Sequence, residues 1–505
     1  MTQQLTPALI LGIIALYFLV LITISYFTSR DTGNQSFFLA GRKSNWVLVA
    51  IGMIGASLSG VTFISIPGVV GADGLNQSFS YMQVVLGYLL GYLVIATVLM
   101  PLYYRLQLTS IYGYLEQRFG FLSYKTGAAY FLLSRTIGAS FRLYLVAIVL
   151  QKFVMDAYGI PFELTVISTI ALIWIYTFRG GISTIIWTDT LQTICMLTAV
   201  VLAILGIGEA LNASVGELAT MVQESQYSQM FFFEGGWSDP NNFFKQFLSG
   251  ALITIVMTGL DQDMMQKNLS CPTIGDAQKN MFTFSIILVF ANFLFLSLGA
   301  LLYIYAAQVG IDIPETTDQL FPSIALQHLS PTVGVIFILG LIAAAYSSAD
   351  SALTALTTSF CVDFLDFEKK EDTAALRKTR LYVHVGFSFL LFLVIVGFNA
   401  INDTAVITKL FVVAGYTYGP ILGLFAFGMF TRLKVRDKFV PVVCILAPVT
   451  AFVLDTYSAE LFFGFKFGFL TIALNGLLTF FGLMAISYRE YETKVGDEQM
   501  LEFGE

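Results

Sequence analysis

The chain has 505 residues, 57% of them hydrophobic and only 12% charged, with a formal net charge of −7. Apolar runs of about 20 residues, the length that crosses ~30 Å of hydrocarbon, recur along the sequence and leave no stretch long enough for a kinase, nucleotide-binding or nucleic-acid-binding domain. The expected class is an all-α polytopic membrane protein whose acidic residues lie mostly in the 209–242 and 309–320 loops and the tail.

Thirteen spans are expected, at 7–27, 45–70, 78–104, 122–152, 161–179, 183–208, 243–262, 280–308, 322–362, 379–398, 401–430, 438–455 and 465–488. Nothing basic precedes the first, it is longer than a signal-peptide core and Arg30 follows it, so it is expected to be retained with the N-terminus outside. Alternation then puts basic loop residues such as Arg42, Lys43, Arg105, Arg118, Arg179, Lys267, Lys369, Lys370 and Arg489 on the cytoplasmic side, with Lys152, Lys245 and Lys466 outside. This is the asymmetry of the positive-inside rule.

The second span carries glycines, a proline and hydroxyls between Gly55 and Gly68. Such a run favours unwinding at mid-membrane, where freed carbonyls can hold an ion. The bland reading is a small-residue packing face. In the fourth span Arg135 and Arg142 are two helical turns apart and share one face. An arginine fork at membrane depth suits a carboxylate; internal pairing with an aspartate, or snorkelling, is the alternative. Asp189 opens the sixth span, as a functional carboxylate or as a helix N-cap. Ser249-Gly250 and Thr258-Gly259 punctuate the seventh. Paired interrupted helices in two halves point to an inverted-repeat transporter.

The ninth span contains Leu341-Ile-Ala-Ala-Ala-Tyr-Ser-Ser-Ala-Asp-Ser351, three serines and a carboxylate in an apolar helix. Hydroxyl and carboxylate oxygens are what a small hard cation needs when it sheds water. An intramembrane aspartate is by default a functional hypothesis, against a packing role for Asp350. Cys195, Cys361 and Cys444 lie in or beside spans and Cys271 on the cytoplasmic side, without a disulfide framework. His328 and His384 are single, without metal-like spacing.

Four segments in this order resemble the sodium/solute symporters: Gly180–Gln192, Asp261-Gln-Asp-Met-Met-Gln-Lys267, Ser347-Ser-Ala-Asp-Ser351, and Gly419-Pro-Ile-Leu-Gly-Leu-Phe425. The pattern is nearest to the sodium/sialate-type members. The resemblance implies a LeuT-like 5+5 inverted-repeat core at 45–430, preceded by 1–44 and followed by two peripheral helices at 431–488 and a cytoplasmic tail at 489–505. It implies a main sodium site at the carbonyls of Gly55, Leu58 and Ala344 and the hydroxyls of Ser347 and Ser348. A second cation site would use Asp189, Ser348, Asp350 and Ser351, with Asp350 where the sialate pattern has serine. The substrate-carboxylate arginine has a similar offset from the matching aspartate in those members, which assigns it to Arg142, with Arg135 beside it. Ser57, Ser59, Thr62, Tyr81 and Gln83 complete the expected substrate site. Thr62 stands where sugar-transporting relatives use glutamine.

The expected function is sodium-coupled import of a small organic solute across the plasma membrane, an organic acid such as a sialic acid ahead of a neutral sugar or amino acid. A sodium-responsive sensor or a channel is the reading from another class. Partners are the solute, one or two Na⁺ ions and the bilayer, with no organic cofactor or nucleic acid, no enzymatic activity, and a functional monomer. A sodium ion entering down ~100 mV gains ~2.3 kcal/mol and a tenfold gradient adds about 1.4. One ion therefore accumulates a monoanion about tenfold, whereas two leave ~5.1 kcal/mol, three to four decades.

Overall fold

Backbone polar groups in hydrocarbon must be satisfied within their own segment, so apolar runs of this length become helices. The computed structural model describes residues 6–28, 34–177, 181–371, 373–400 and 406–488. In chain order the helices that make up the expected spans are α1 (Pro7–Thr28), α2 (Trp46–Ser57), α3 (Gly60–Val69), α4 (Tyr81–Arg105), α5 (Phe121–Tyr158), α6 (Phe162–Thr177), α7 (Ile182–Leu211), α8 (Phe243–Gly259), α9 (Gln262–Leu269), α10 (Ile274–Val309), α11 (Pro331–Phe364), α12 (Ala374–Asn399), α13 (Val406–Phe430), α14 (Asp437–Thr456) and α15 (Gly468–Ala485). Two pairs are bent at a short break, α2 and α3 by 51° and α8 and α9 by 63°. Lys434–Val435 pairs antiparallel with Ser487–Tyr488, Lys434 opposite Tyr488, and ties the start of α14 to the end of α15.

Ten single helices and the two bent pairs account for up to twelve spans among the described residues. The thirteenth expected span rests on α6, which has 16 residues and whose expected continuation at 178–179 lies outside the described residues. Arg30, Arg179, Gly180 and the 489–505 tail lie outside them as well. The single span expected at 322–362 is corrected: a separate helical segment covers Leu320–His328, and α11 starts at Pro331. Proline is well placed at the first helical position, where its missing N–H has no partner to lose.

Each broken helix opens one set of five expected spans. In α11, 78% of the most apolar stretch is buried, against 22% in α12 and in α14, so α11 is central and the other two face lipid. α8 crosses α4 through glycines: a Cβ on Gly250 would collide with the Val84 carbonyl, and one on Gly87 with the Phe247 carbonyl. Ser249-Gly250 is therefore a packing surface, and the break falls after Gly259. Gly250→Val must push the two backbones apart, an overpacking cost of about 1–3 kcal/mol. The expected result is a lower melting temperature of the purified protein, and an unchanged one would contradict this contact.

Candidate ion and substrate site

α2 stops because Leu58 (φ −82°, ψ 55°) and Ser59 (φ −58°, ψ 179°) leave helical geometry. Pro67, expected to help unwind the span, stays inside α3, fully enclosed. The Leu58 N–H donates to the Ile54 carbonyl at 2.8 Å, and the Ser348 hydroxyl donates to the Ala56 carbonyl at 3.0 Å. Gly55 lets α11 approach: a Cβ there would stand 3.1 Å from Ser347 Oγ and would collide with Thr193 Oγ1. The serine pair of α11 thus faces the broken end of α2, and Ala344 lies buried one turn earlier on α11. Neutral hydroxyl and carbonyl oxygens gathered at a break suit a singly charged ion that has to be released again.

Asp189 lies two turns into α7, whose N-cap is Gly181, so it is not a cap. Its Oδ1 accepts from Ser347 Oγ at 2.8 Å and its Oδ2 pairs with Lys267 Nζ at 2.6 Å, both charged groups buried. Three of the four residues of the expected second cation site are accordingly engaged in different directions. Asp189 holds Lys267 and Ser347, Ser348 holds the Ala56 carbonyl, and Ser351 donates to Asp263 Oδ1. Asp350 is fully buried between them on α11.

At the second break Asp261 caps α9, its Oδ1 accepting from the N–H groups of Asp263 at 3.0 Å and Met264 at 3.3 Å. Freed carbonyls there are taken by tyrosines: Tyr103 donates to Gly259 and Tyr112 to Leu260, each at 2.9 Å. Tyr418 of α13 donates to Asp261 Oδ2 at 2.5 Å. Arg135 forms an ion pair with Asp263 and stands 3.9 Å from Asp261 Oδ2. Its guanidinium is held by two buried carboxylates, the internal pairing weighed as the alternative role for this residue.

Between the breaks lies a cavity of about 70 Å³ lined by Ser57, Ser59, Thr62, Tyr81, Arg135 and Arg142, and by Tyr88, Tyr92, Met257, Thr258, Asn292 and Phe411. Tyr81 donates to or accepts from Tyr88 at 2.8 Å, and its ring stacks on Phe411 at 6.4 Å between centroids. Arg142 is buried like Arg135, and the Nε of each has no hydrogen-bond partner; what separates Arg142 is that no carboxylate of a described residue lies within ion-pair distance of it.

Gln83 is corrected. It lies off the cavity, with Nε2 donating to the Ser80 and Asn241 carbonyls and Oε1 accepting from the Phe232 N–H. It pins the connection ahead of α8 to the start of α4. The residues not foreseen as site members are Asp261, Asp263, Lys267, Tyr418 and the tyrosine and methionine lining. The signal was present for the first three: ionisable groups within seven residues at the end of an apolar span are rare without a function.

Helices broken at mid-membrane, one opening each repeat, are how an alternating-access transporter exposes backbone to its cargo, and the chain is of that class. Residues 37–436 match the profile of the sodium:solute symporter family, and the chain belongs to that family. It is 25% identical over 475 residues to the sodium/sialic acid symporter NanT of Aliivibrio fischeri (strain ATCC 700601 / ES114), covering 90% of this chain and 89% of that one. It is 24% identical over 430 residues to the human sodium/iodide cotransporter, covering 83% of this chain and 65% of that longer protein. A solved substrate-bound, outward-open sodium-coupled sialic acid symporter superposes with a TM-score of 0.80 at 20% identity, covering 94% of this chain and 97% of that one. The fold is the LeuT-like one, shared also with a nucleobase-cation-symport-1 transporter at a TM-score of 0.56 and 12% identity.

Proposed function

We propose that the protein is a sodium-coupled symporter importing a small organic acid, a sialic acid being the favoured candidate, by alternating access. The observation that carries the acid is Arg142. A buried guanidinium without a carboxylate partner is costly, and a substrate carboxylate with two parallel hydrogen bonds is the group that best offsets it. Arg135 and Lys267 already have their aspartates, so the free positive charge at the cavity belongs to Arg142. Sodium binds at the end of α2 through the carbonyls of Gly55 and Leu58, the Ala344 carbonyl and the hydroxyls of Ser347 and Ser348. Ser57, Ser59 and Thr62 provide polar edges for the rest of the solute, and Tyr81, Tyr88 and Phe411 an aromatic wall. The names of the sialic acid symporters to which the chain is similar support the same class of cargo.

In this reading residues 45–430 are the transport core. The 431–488 helices brace it from one side, where the Asn475 side chain donates to the carbonyls of Gly415 and Tyr416 on α13. The chain works as a monomer in the plasma membrane with its N-terminus outside and C-terminus in the cytoplasm, the orientation its basic loops favour. A neutral sugar or amino acid is the second reading, favoured by the uncharged hydroxyl lining of the cavity. A thermal-shift screen of the purified protein against acids, their amides, sugars and amino acids, in sodium and then in potassium, separates the two. An acid is expected to raise the melting temperature in sodium and far less in potassium, and its amide to do little. Equal stabilisation by acid and amide would overturn the acid reading.

A further inference from the structure

Asp189 is the carboxylate that a second sodium ion would need, and both its oxygens are in use. Oδ2 lies 2.6 Å from the Lys267 ammonium, and Oδ1 accepts the Ser347 hydroxyl proton at 2.8 Å. α2 closes over the pair, since a Cβ on Gly52 would stand 3.1 Å from Asp189 Cβ. Lys267 is 1% exposed and Asp189 fully buried, so solvent does not screen a second cation from the ammonium. Two cations at one buried carboxylate repel strongly at low dielectric. Ser348 donates to the Ala56 carbonyl at the broken end of α2 and Ser351 to Asp263 Oδ1, so neither hydroxyl is hydrogen-bonded to Asp189.

We propose that the Lys267 ammonium is a tethered cation standing in for a second sodium ion at Asp189, so that the chain couples a single sodium ion, held at Ser347 and Ser348, to each solute. This rests on the reading of the chain as a sodium symporter. The pair also has a positioning role. Because the Ser347 proton points at Asp189, the lone pairs of Ser347 Oγ are turned toward the broken end of α2, and Lys267 keeps the carboxylate charged and oriented for that purpose. A sodium ligand is thereby pre-set by an ion pair on two other helices.

The test is sodium binding itself, read as thermal stabilisation of the purified protein titrated with NaCl at constant total salt with KCl. Wild type is expected to give a Hill coefficient near one, and Asp189→Asn to leave it near one with weaker affinity. Lys267→Met releases the Asp189 carboxylate and should raise the coefficient toward two, while the double variant with Asp189→Asn should return it to one. Lys267→Arg keeps a cation beside Asp189 and should hold the coefficient near one. If Lys267→Met does not fold, the ratio of radiolabelled sodium to labelled solute taken up by the wild-type protein in proteoliposomes decides, a ratio of one being expected and a ratio of two overturning the proposal. A wild-type coefficient of two that falls to one in Asp189→Asn would overturn the tethered-cation proposal and leave sodium symport standing. No sodium response in wild type would overturn the symporter reading beneath it.

Discussion

Arg142→Lys is expected to weaken binding of the transported acid at least tenfold while leaving sodium binding nearly intact. Lysine keeps the charge but loses the planar fork, so one of two parallel hydrogen bonds to the carboxylate is lost inside a buried site. Leaving a buried carboxylate partly unpaired costs on the order of 2–5 kcal/mol, and each 1.4 kcal/mol is a factor of ten in affinity. The comparison is between dissociation constants of wild type and variant for the best acid and for its amide. The amide makes no ion pair, so its weak binding should hardly change. An acid that binds Arg142→Lys as well as wild type would leave the unpaired guanidinium without a role in recognition.

Ser348→Ala is the second large effect. The hydroxyl donates to the Ala56 carbonyl at the end of α2 and is one of the two side-chain oxygens assigned to sodium there. A hydrogen-bond-strength interaction with a charged group is worth about 1.5–3 kcal/mol, so sodium affinity should fall tenfold or more and sodium-driven uptake should disappear. Alanine suits a helix interior, so the variant should still fold. Uptake at wild-type sodium affinity would remove Ser348 from the ion site.

The charge of the cargo then fixes the energetics. With one sodium per monoanion the cycle is electroneutral, and a tenfold sodium gradient supports about tenfold accumulation. A symporter of this kind keeps importing only if the acid is consumed inside. The same stoichiometry predicts no solute-induced current for a monoanion, whereas two sodium ions would produce one.

What was legible in the sequence follows from the range of the interactions. The break in the first repeat was visible because hydroxyls and Gly60 cluster locally around Leu58 and Ser59. Pro67 pointed past it: near the end of α3 the missing N–H removes only one late hydrogen bond, which a short helix in a protein interior tolerates. Thr258-Gly259 marked the second break, whereas Ser249-Gly250, alike in composition, serves contact with α4 because the Val84 carbonyl lies against it. Helical spacing showed that Arg135 and Arg142 share a face, but their different fates depend on Asp263 and Asp261, which another helix supplies. Gln83 looked like a site residue as a polar group at the start of a span, and its partners Asn241 and Phe232 are far along the chain. The Lys267–Asp189 pair joins residues 78 apart, beyond what any periodicity encodes.

The most direct test of sodium-coupled acid import uses the full chain in proteoliposomes loaded with potassium buffer and supplied with labelled sialic acid outside. With sodium outside, uptake should rise above its equilibrium level and then decay as the gradient dissipates; with potassium on both sides it should stay at background. Among protein-dependent outcomes, equal uptake with and without the sodium gradient, or uptake that never exceeds equilibrium while the gradient lasts, would contradict the account.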